Sequence, residues 1–397
     1  MPDAAPSEAS PESGSHRPLG PVIAYADGVD SARVSPATIT ELQGLEDPEV
    51  FIGWTPEARG WLASEAVRGR TIMAGYSLAP AVAAGRIRYL PVRLSAVPHL
   101  VTELRPDVAV VSGIRRGADL AFRGTVGWGP AAAQAARSVV VEVDEDAEDL
   151  GAPLIPGQID AVVPRAAGSP PPLPRAPDDI DHAIGTWVAS VLPDDATIQL
   201  GPGGIAEAIV ARLDQPVGIW SGLVTDSMAQ LAERGLLRGS ITAGYVWGGQ
   251  AILDLARAGR LTLVPIEDTH DLTVVSELDR FVACNTALQV GLDGSVNVER
   301  VGGRVVAGIG GHADYCAAAA RSVGGMSLIA LRSTTRHGES TIVGRVDVVS
   351  TPRCDVQVVV TEHGVADLRG LADAERAKRI IGVAAPQHRE RLRRSEV

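Results

Sequence analysis

Hydrophobic residues along this chain fall into short continuous runs that alternate with runs of helical spacing. The runs "PDVAVVSG" at residues 106–113 and "SVVVEVDE" at residues 138–145 predict strands, and "WGPAAAQAARS" at residues 128–138 predicts a helix. Strands of uninterrupted Val and Ala are buried on both faces, as in a parallel sheet flanked by helices. The pattern therefore predicts an α/β domain in this part of the chain.

The same alternation resumes near residue 180. The run "TIQL" at residues 197–200 predicts a strand, and "IAEAIVARL" at residues 205–213 predicts a helix. The other predicted elements are helices in "DHAIGTWVASVL" (181–192) and "TDSMAQLAERG" (225–235), and strands in "VGIW" (217–220), "LTLVPI" (261–266), "FVACNTALQV" (281–290), "MSLIAL" (326–331) and "VQVVVTE" (356–362). Two α/β domains are the natural prediction.

A proline-rich segment separates the two parts. Residues 164–179 contain six prolines, which suit an exposed connector and cannot continue a helix or a central strand. We therefore predict an N-terminal α/β domain at residues 21–163, a linker at 164–179 and a C-terminal α/β domain at 180–397. Residues 1–20 are rich in Pro, Ser and Ala and lack the regions of a signal peptide, so they predict a disordered tail.

Composition and charge narrow the classes of partner. Hydrophobic residues make up 45% of the 397-residue chain, and its formal net charge is -12. An acidic chain lacks the basic face of a nucleic-acid-binding protein, although a local pocket can still hold a small anion. No run approaches the ~20 apolar residues of a membrane helix. The three cysteines show no CxxC spacing, which favours reduced thiols in a cytoplasmic protein and predicts no metal site.

A glycine turn at residues 201–204 connects a predicted strand to a predicted helix. Backbone N–H groups at such a turn, together with the helix N-terminus, can hold an anionic group. One alternative is a turn required only by packing. Another is a dinucleotide site, because Gly201, Gly203 and Ala206 match G-x-G-x-x-[G/A]. Pro202 and the lack of a well-placed acidic residue ~20 positions on weaken that match.

Longer motifs in the C-terminal half are more specific. They are "LQVGLDGSVNVE" at 288–299, "AGIGGHADY" at 307–315 and "TPRCDVQVVVTEHGVADLRG" at 351–370. These runs resemble the acetyl-CoA hydrolase/transferase family, which includes acetate and 4-hydroxybutyrate CoA-transferases. The resemblance covers nearly all of residues 190–397 and is thinner before the linker, where the first domain is shortened.

The resemblance implies two similar CoA-transferase-type α/β domains with largely parallel sheets and the site at their interface. It implies a small acyl-CoA as substrate, a carboxylic acid as a further small-molecule partner, and a homo-oligomer. The implied binding residues are Gly201, Gly203, Gly204, Gly308, Gly310, Gly311 and Asp314. Backbone N–H groups of Gly310 and Gly311 are the candidates for holding a thioester oxyanion, with a purely structural turn as the alternative.

The resemblance also implies a nucleophilic glutamate that forms an acyl anhydride and then a glutamyl-CoA thioester. The matching run is "VGIWSGLVTDSMAQL" at residues 217–231, where Ser221 and Asp226 fit the family pattern. Trp220 stands where histidine is usual, and Gly222 stands at the position of the glutamate. Since glycine has no side chain, Gly222 cannot form the anhydride. The usual mechanism is therefore not expected here.

Other positions differ as well. His312 replaces the glutamine of the second glycine turn, Gly291 an aspartate and His363 a tyrosine. His312 is a candidate general base for water attacking a thioester, and the alternative is a neutral histidine that satisfies a backbone hydrogen bond. We therefore expect an acyl-CoA-handling protein that does not use the glutamyl-CoA route. The alternatives are a catalytically inactive CoA-binding relative that partners or regulates an active one, and a nicotinamide-dependent oxidoreductase.

Overall fold

A computed structural model describes residues 20–57, 59–166 and 175–395. Almost all of the predicted N-terminal tail, residues 1–19, lies outside these ranges, as does the middle of the predicted linker, residues 167–174. The described parts of the linker segment hold the end of one strand and the residues that lead into a helix beginning at Asp179. The domain boundaries stay predictions.

The first large sheet has eight strands. They are β1 (Val22–Tyr25), β2 (Glu49–Ile52), β3 (Gly69–Thr71), β4 (Ile87–Tyr89), β5 (Val108–Arg116), β6 (Asp119–Phe122), β7 (Ser138–Val143) and β8 (Ile159–Pro164). Their order is β4-β3-β2-β1-β5-β7-β8, and every pair along this path is parallel. Strand β6 pairs antiparallel with β5. Both Val-rich runs are strands of this sheet, as predicted.

The second large sheet also has eight strands, and five shorter strands lie outside it in two small sheets. The second sheet comprises β9 (Thr197–Leu200), β10 (Val217–Thr225), β11 (Leu237–Trp247), β12 (Leu261–Leu263), β13 (Phe281–Thr286), β18 (Met326–Ala330), β20 (Val358–Thr361) and β21 (Gly364–Asp367). The shorter strands are β14 (Gln289–Gly291), β15 (Val296–Asn297), β16 (Arg300–Val301), β17 (Arg304–Val305) and β19 (Ile342–Val343). The large sheet has the order β12-β11-β10-β9-β13-β18-β20-β21. It is parallel except for the final β20–β21 pair.

Thirteen α-helices within the described residues accompany these sheets. They are α1 (Pro36–Gln43), α2 (Ala79–Ala83), α3 (Val97–Leu104), α4 (Gly129–Ala135), α5 (Asp179–Ala189), α6 (Gly204–Arg212), α7 (Asp226–Gln230), α8 (Gln250–Arg257), α9 (Ile266–Thr269), α10 (Leu272–Ser276), α11 (His312–Ala319), α12 (Asp373–Val383) and α13 (Pro386–Arg394). The prediction of two α/β units with largely parallel sheets is confirmed.

Several sequence predictions differ from the structure in length. The run at 281–290 was expected to be one strand, but it breaks after Thr286 and continues as β14 in a separate small sheet. The helix predicted at 225–235 is confined to α7, and residues beyond it form turns. Hydrophobic runs reveal burial and leave open the point at which the backbone leaves a sheet, so such boundaries are the least certain part of a sequence prediction.

The two large sheets share hydrophobic packing. One buried cluster joins Val111 and Phe122 of the first sheet region to Ile219 and Ala243 of the second. The loop at residues 124–127 also pairs with the end of β11 through backbone hydrogen bonds. No helix among the described residues is long and apolar enough to cross a membrane. The two large sheets therefore share one hydrophobic core.

Candidate active site

A cavity of about 390 Å³ lies between the two large sheets. Its first wall comes from residues that follow β1, β2 and β3, namely Asp27, Trp54 and Tyr76. The opposite wall comes from β9, β10, β11 and β13 and from the turn at residues 307–311. Ligand sites of parallel α/β sheets form at the carboxyl ends of the strands, and the volume is in the range of small-molecule pockets.

The structure brings six of the predicted site residues to this cavity. The lining residues among them are Gly201, Gly222, Gly308, Gly310, Gly311 and His312. Gly203 has a φ of 130°, in the region that favours glycine, and it precedes α6 as its N-cap. Gly204, Gly203 and Asp314 are not among the residues that line the cavity. The first glycine turn therefore reaches the cavity through Gly201 and Pro202 only.

The backbone at Gly204 faces charged side chains of the protein itself. A β-carbon added at Gly204 would lie 2.6 Å from Oδ2 of Asp181 and 2.7 Å from Nη2 of Arg175. The fully buried Asp181 carboxylate accepts hydrogen bonds from Arg175 and from Arg332, whose Nη2 lies 2.7 Å from Oδ1. Gly204 thus makes room for an internal ion-pair cluster beside the start of α6.

The second glycine turn joins the two halves of the molecule. Gly310 has a φ of 56°, and its carbonyl accepts a hydrogen bond from the backbone N–H of Leu94 at 2.9 Å. A β-carbon at Gly308 would lie 2.3 Å from the carbonyl oxygen of Ile72. Both glycines are therefore required by backbone conformation or by close approach of the first half. This packing role is compatible with a site role for the same turn.

Asp314 reinforces that contact from within α11. Its carboxylate accepts hydrogen bonds from the backbone N–H of Ser95 at 3.1 Å and from the Ser95 hydroxyl at 2.6 Å. Arg93 lies 3.8 Å from the same carboxylate. Burial raises the pKa of Asp314, while the hydrogen bonds with Ser95 lower it. The aspartate therefore holds the glycine turn against the first half of the molecule, and the binding role that the resemblance implies for it stays a prediction.

Gly222 lies in β10 directly beside the side chain of His270. A β-carbon added at Gly222 would lie 3.0 Å from Cε1 and 3.2 Å from Nε2 of His270. A β-carbon added at Gly311 would lie only 2.3 Å from the same Nε2. The imidazole of His270 is therefore held between two glycine α-carbons, and it fills space next to the position at which the family resemblance places the glutamate.

The orientation of His270 is fixed by its neighbours. Its Nδ1 lies 2.8 Å from Oγ1 of Thr269, and its ring packs against Tyr315 with the ring centroids 4.5 Å apart. Only 2% of the residue is exposed, and this burial lowers the pKa of His270 to about 3. The imidazole is therefore neutral at neutral pH, with Nε2 on the side that faces Gly222 and Gly311.

Trp220 also contacts this segment. Its indole Nε1 donates a hydrogen bond to the backbone carbonyl of Thr269 at 3.1 Å. Trp220 and Gly222 are the two positions of the β10 run that depart from the family pattern, and both contact the Thr269-His270 pair. Sequence analysis missed His270, because His270 is separated from Gly222 by two strands and carries no motif of its own.

His312 begins α11 and is also buried. Its Nδ1 lies 2.7 Å from Oγ1 of Thr351, and its Nε2 has no hydrogen-bond partner among the described residues. Burial lowers the pKa of His312 to about 4, so this imidazole is neutral as well. Cys316 lies one turn further along α11, with Sγ 3.7 Å from Nδ1 of His312. Burial raises the pKa of that thiol to about 12, which keeps it protonated.

Asp27 is the acidic side chain among the residues that line the cavity. It is 2% exposed and accepts hydrogen bonds from the Tyr245 hydroxyl at 2.9 Å and the Trp54 backbone N–H at 3.2 Å. Desolvation raises the pKa of Asp27 to about 6. Sequence analysis missed this residue as well, because it lies in the half of the chain where family motifs are thin. No cluster of three metal-binding side chains occurs within the described ranges.

Fold and site together define a two-sheet α/β protein with a cavity between its sheets, and comparison with known proteins identifies the family. Residues 249–396 match the acetyl-CoA hydrolase/transferase C-terminal domain. The 4-hydroxybutyrate coenzyme A transferase of Clostridium kluyveri is 31% identical over 350 residues, which cover 82% of this chain and 81% of that protein. The chain therefore belongs to the acetyl-CoA hydrolase/transferase family.

Two further comparisons agree. The butyryl-CoA:acetate CoA-transferase of Anaerostipes caccae is 26% identical over 342 residues, covering 77% of this chain and 75% of that protein. The crystal structure of RipA from Yersinia pestis superimposes with a TM-score of 0.83 at 24% identity, covering 96% of this chain and 94% of that one. The RipA comparison establishes the fold. Family membership leaves the dinucleotide interpretation of the first glycine turn without support.

Proposed function

We propose that this protein binds a small acyl-CoA in the cavity between the sheets and cleaves the thioester by direct attack of water. The observation that carries the proposal is the pairing of Gly222 with His270. A glutamyl-CoA intermediate needs a carboxylate at residue 222, and the side chain in that region is an imidazole instead. A CoA-transferase of the usual kind would have no group to store the acyl or CoA moiety between half-reactions.

His270 is the proposed general base. In the required tautomer, Nδ1 carries the hydrogen and donates it to Oγ1 of Thr269, so Nε2 presents its lone pair beside Gly222 and Gly311. Water gives a proton to Nε2 as its oxygen bonds to the thioester carbon. The C–S bond then breaks, and the imidazolium returns the proton to the CoA thiolate. The products are a free carboxylic acid and CoA thiol.

Backbone N–H groups of Gly310 and Gly311 remain our proposal for the oxyanion site. They belong to the turn that lines the cavity next to the His270 ring. Donors fixed by the fold stabilise developing negative charge without reorganisation during the reaction. His312 is the second candidate for the base, since its buried Nε2 has no hydrogen-bond partner within the described residues and the residue lines the same cavity.

The experiment is to measure free thiol release from a panel of short acyl-CoAs together with label exchange from acetate into acyl-CoA. We expect thiol release without acetate exchange. His270→Ala should lower release by roughly 10²- to 10⁴-fold, the usual effect of removing a general base. His337→Ala, a change at an exposed histidine, is the matched control. Loss of release in His312→Ala alone would transfer the role to His312, and rapid acetate exchange by the unmodified protein would overturn the proposal.

A catalytically inactive CoA-binding protein is the second candidate function. The low proton affinity of both buried histidines favours it, because a base with a pKa near 3 or 4 draws a proton from water only weakly. In that case acyl-CoA would bind, as measured by calorimetry, and no thiol would be released by any variant. A cytoplasmic location, a homo-oligomeric state and a partnership with an active relative stay predictions.

A further inference from the structure

The carboxylate of Asp27 lies on the cavity wall without a cationic partner. None of the ion pairs formed among the described residues includes Asp27, and neither lysine nor arginine occurs among the described residues that line the cavity. Its hydrogen bonds come from neutral donors, the Tyr245 hydroxyl and the Trp54 N–H. A buried carboxylate without a counter-charge is costly, and a bound cation would offset that cost.

Aromatic rings surround the same part of the cavity. The Trp54 ring lies edge-on to Tyr245, with centroids 6.3 Å apart, and edge-on to Tyr76, with centroids 5.8 Å apart. All three side chains line the cavity together with Asp27. The faces of Trp and Tyr rings attract cations, and rings that are mutually perpendicular can present such faces around one point. Asp27 and these rings are called the aromatic-carboxylate wall below.

Tyr76 contributes to this wall from a strained backbone. Its φ is 55°, a left-handed conformation that is unfavourable for a residue with a β-carbon. Although it is an aromatic residue, 51% of it is exposed. Packing against the core therefore does not account for its conformation. Strain of this kind is commonly retained where a side chain must be placed for a ligand.

Tyr245 connects the aromatic-carboxylate wall to the side of the cavity that contains Gly222. It lies in β11, paired in register with Leu223, the residue after Gly222. Its ring is closely packed, since a β-carbon at Gly127 would lie 2.6 Å from Cε1 and one at Gly28 would lie 3.0 Å from Cδ1. This packing keeps the Tyr245 hydroxyl within hydrogen-bond distance of the Asp27 carboxylate. An acyl chain whose carbonyl lies near Gly222 would extend toward this wall.

We propose that the aromatic-carboxylate wall selects an acyl group that ends in an ammonium or trimethylammonium cation. The inference rests on the proposed acyl-CoA function and names the class of its substrate. The cation is held by charge attraction to Asp27 and by the faces of Trp54, Tyr76 and Tyr245. A neutral acyl group of the same shape fills the same space but leaves the buried carboxylate unpaired.

The test compares two acyl-CoAs that differ only in charge. The first is trimethylammoniobutanoyl-CoA, and the second is its carbon isostere, in which a tert-butyl group replaces the trimethylammonium group. Binding by calorimetry and thiol release are measured for both. The unmodified protein should favour the cationic compound by roughly tenfold or more, the scale of a desolvated cation–π or charge-assisted contact.

Variants then assign the preference to the wall. Asp27→Asn keeps the size of the side chain and removes its charge, and Trp54→Leu keeps an apolar side chain and removes the ring. Each should bring the cationic-to-neutral ratio toward unity. Asp119→Asn, which removes the same charge at an exposed position in β6, should leave the ratio unchanged. Even if a variant does not fold, the comparison of the two compounds on the unmodified protein tests whether a cationic acyl group is preferred.

Three results would overturn the inference. If the protein used the two compounds equally or preferred the neutral one, the proposed selection of a cationic acyl group would be wrong, while the proposed cleavage of acyl-CoA would still stand. Preference for a carboxylate-bearing acyl-CoA such as succinyl-CoA would mean that a protonated Asp27 donates a hydrogen bond. Failure of both compounds and of free CoA to bind would remove the proposed function together with the inference.

Discussion

The imidazole of His270 occupies the space next to the α-carbon of Gly222, with Cε1 only 3.0 Å from the point where a β-carbon would stand. The two residues lie 48 positions apart in the sequence and meet only through the packing of α9 against β10 and β11. Gly222 and His270 form one coupled feature, because a side chain at residue 222 requires that the ring move. The space beside residue 222, where the resemblance places the glutamate, is therefore filled by the His270 ring.

Restoring the glutamate alone should accordingly fail. We expect Gly222→Glu to give no acetate exchange, because its β-carbon would lie closer to His270 than side chains normally approach. The double change Gly222→Glu with His270→Ala provides room and should gain exchange. The readouts are label transfer from acetate into acyl-CoA and the mass of a trapped CoA thioester on the protein. Gly222→Gln in the same double background is the control and should remain inactive, and exchange by the single variant would contradict the coupling.

Gly311→Ala should displace the His270 ring. The added methyl group would lie 2.3 Å from Nε2, and relieving such overpacking typically costs about 1–3 kcal/mol. We expect a lower free energy of unfolding by denaturant and a loss of thiol release. Gly201→Ala is the matched control, since it lines the same cavity and an added β-carbon there meets nothing within 4 Å. Equal effects of the two changes would exclude a specific contact with His270.

The pH dependence of hydrolysis should be flat over the neutral and mildly acidic range for a neutral acyl-CoA. A base with its pKa lowered to about 3 (His270) or about 4 (His312) stays unprotonated down to those values, so lowering the pH to 5 removes none of it. A histidine of ordinary pKa, near 6.5, would lose rate about tenfold per pH unit below that value. The measurement is kcat/KM between pH 5 and 8 in the Asp27→Asn variant, because Asp27 lines the same cavity and its pKa of about 6 lies within that range.

Unlike the rate, the free energy of unfolding should change with pH, and its measurement supplies the control for the pH profile of the rate. Both histidines take up protons more readily when unfolded, so their burial lowers stability as the pH falls below about 6.5. Circular dichroism at each pH would verify that the protein is folded where rates are measured. A rate that falls in step with a pKa near 6.5 while the protein remains folded would argue against either buried imidazole as the base.

Asp27→Asn should stabilise the ligand-free protein at alkaline pH. Burial raises the pKa of Asp27 from 3.8 to about 6, so the folded state holds its proton more tightly than the unfolded state. At about 1.4 kcal/mol per pKa unit this difference corresponds to a cost of about 3 kcal/mol, absent below pH 4 and complete above pH 6. Tyr245, Trp54 and Trp128 face the carboxylate, and none of them changes charge in that range.

The check is the free energy of unfolding of both proteins at pH 4 and pH 8. The amide of the variant does not titrate, so its effect on stability is the same at both pH values, and the change between them reports the ionisation of Asp27. As the pH rises from 4 to 8, we expect the free energy of unfolding of the variant to increase, relative to that of the unmodified protein, by up to about 3 kcal/mol. An unchanged difference would mean that Asp27 is paired or solvated when the cavity is empty. Such a result would also weaken the cationic-substrate inference.

Much of the fold and family was determined by sequence alone. Continuous apolar runs of Val and Ala predicted buried parallel strands, and "TIQL" is β9 at its predicted bounds. The motifs of the C-terminal half predicted the family and the departure at Gly222. These features are local: strand burial and motif identity depend on consecutive residues, which a sequence displays directly.

Only the tertiary structure determined what surrounds Gly222. His270 reaches it through a helix after β12, and Asp27 and Trp54 reach the same cavity from the other sheet. Their roles depend on distances across elements that are far apart in sequence, and on burial that shifts the pKa of an imidazole downward and of a carboxyl upward. The sequence predicted that residue 222 lacks a carboxylate, and the packing of the two sheets determined that the imidazole of His270 lies beside it.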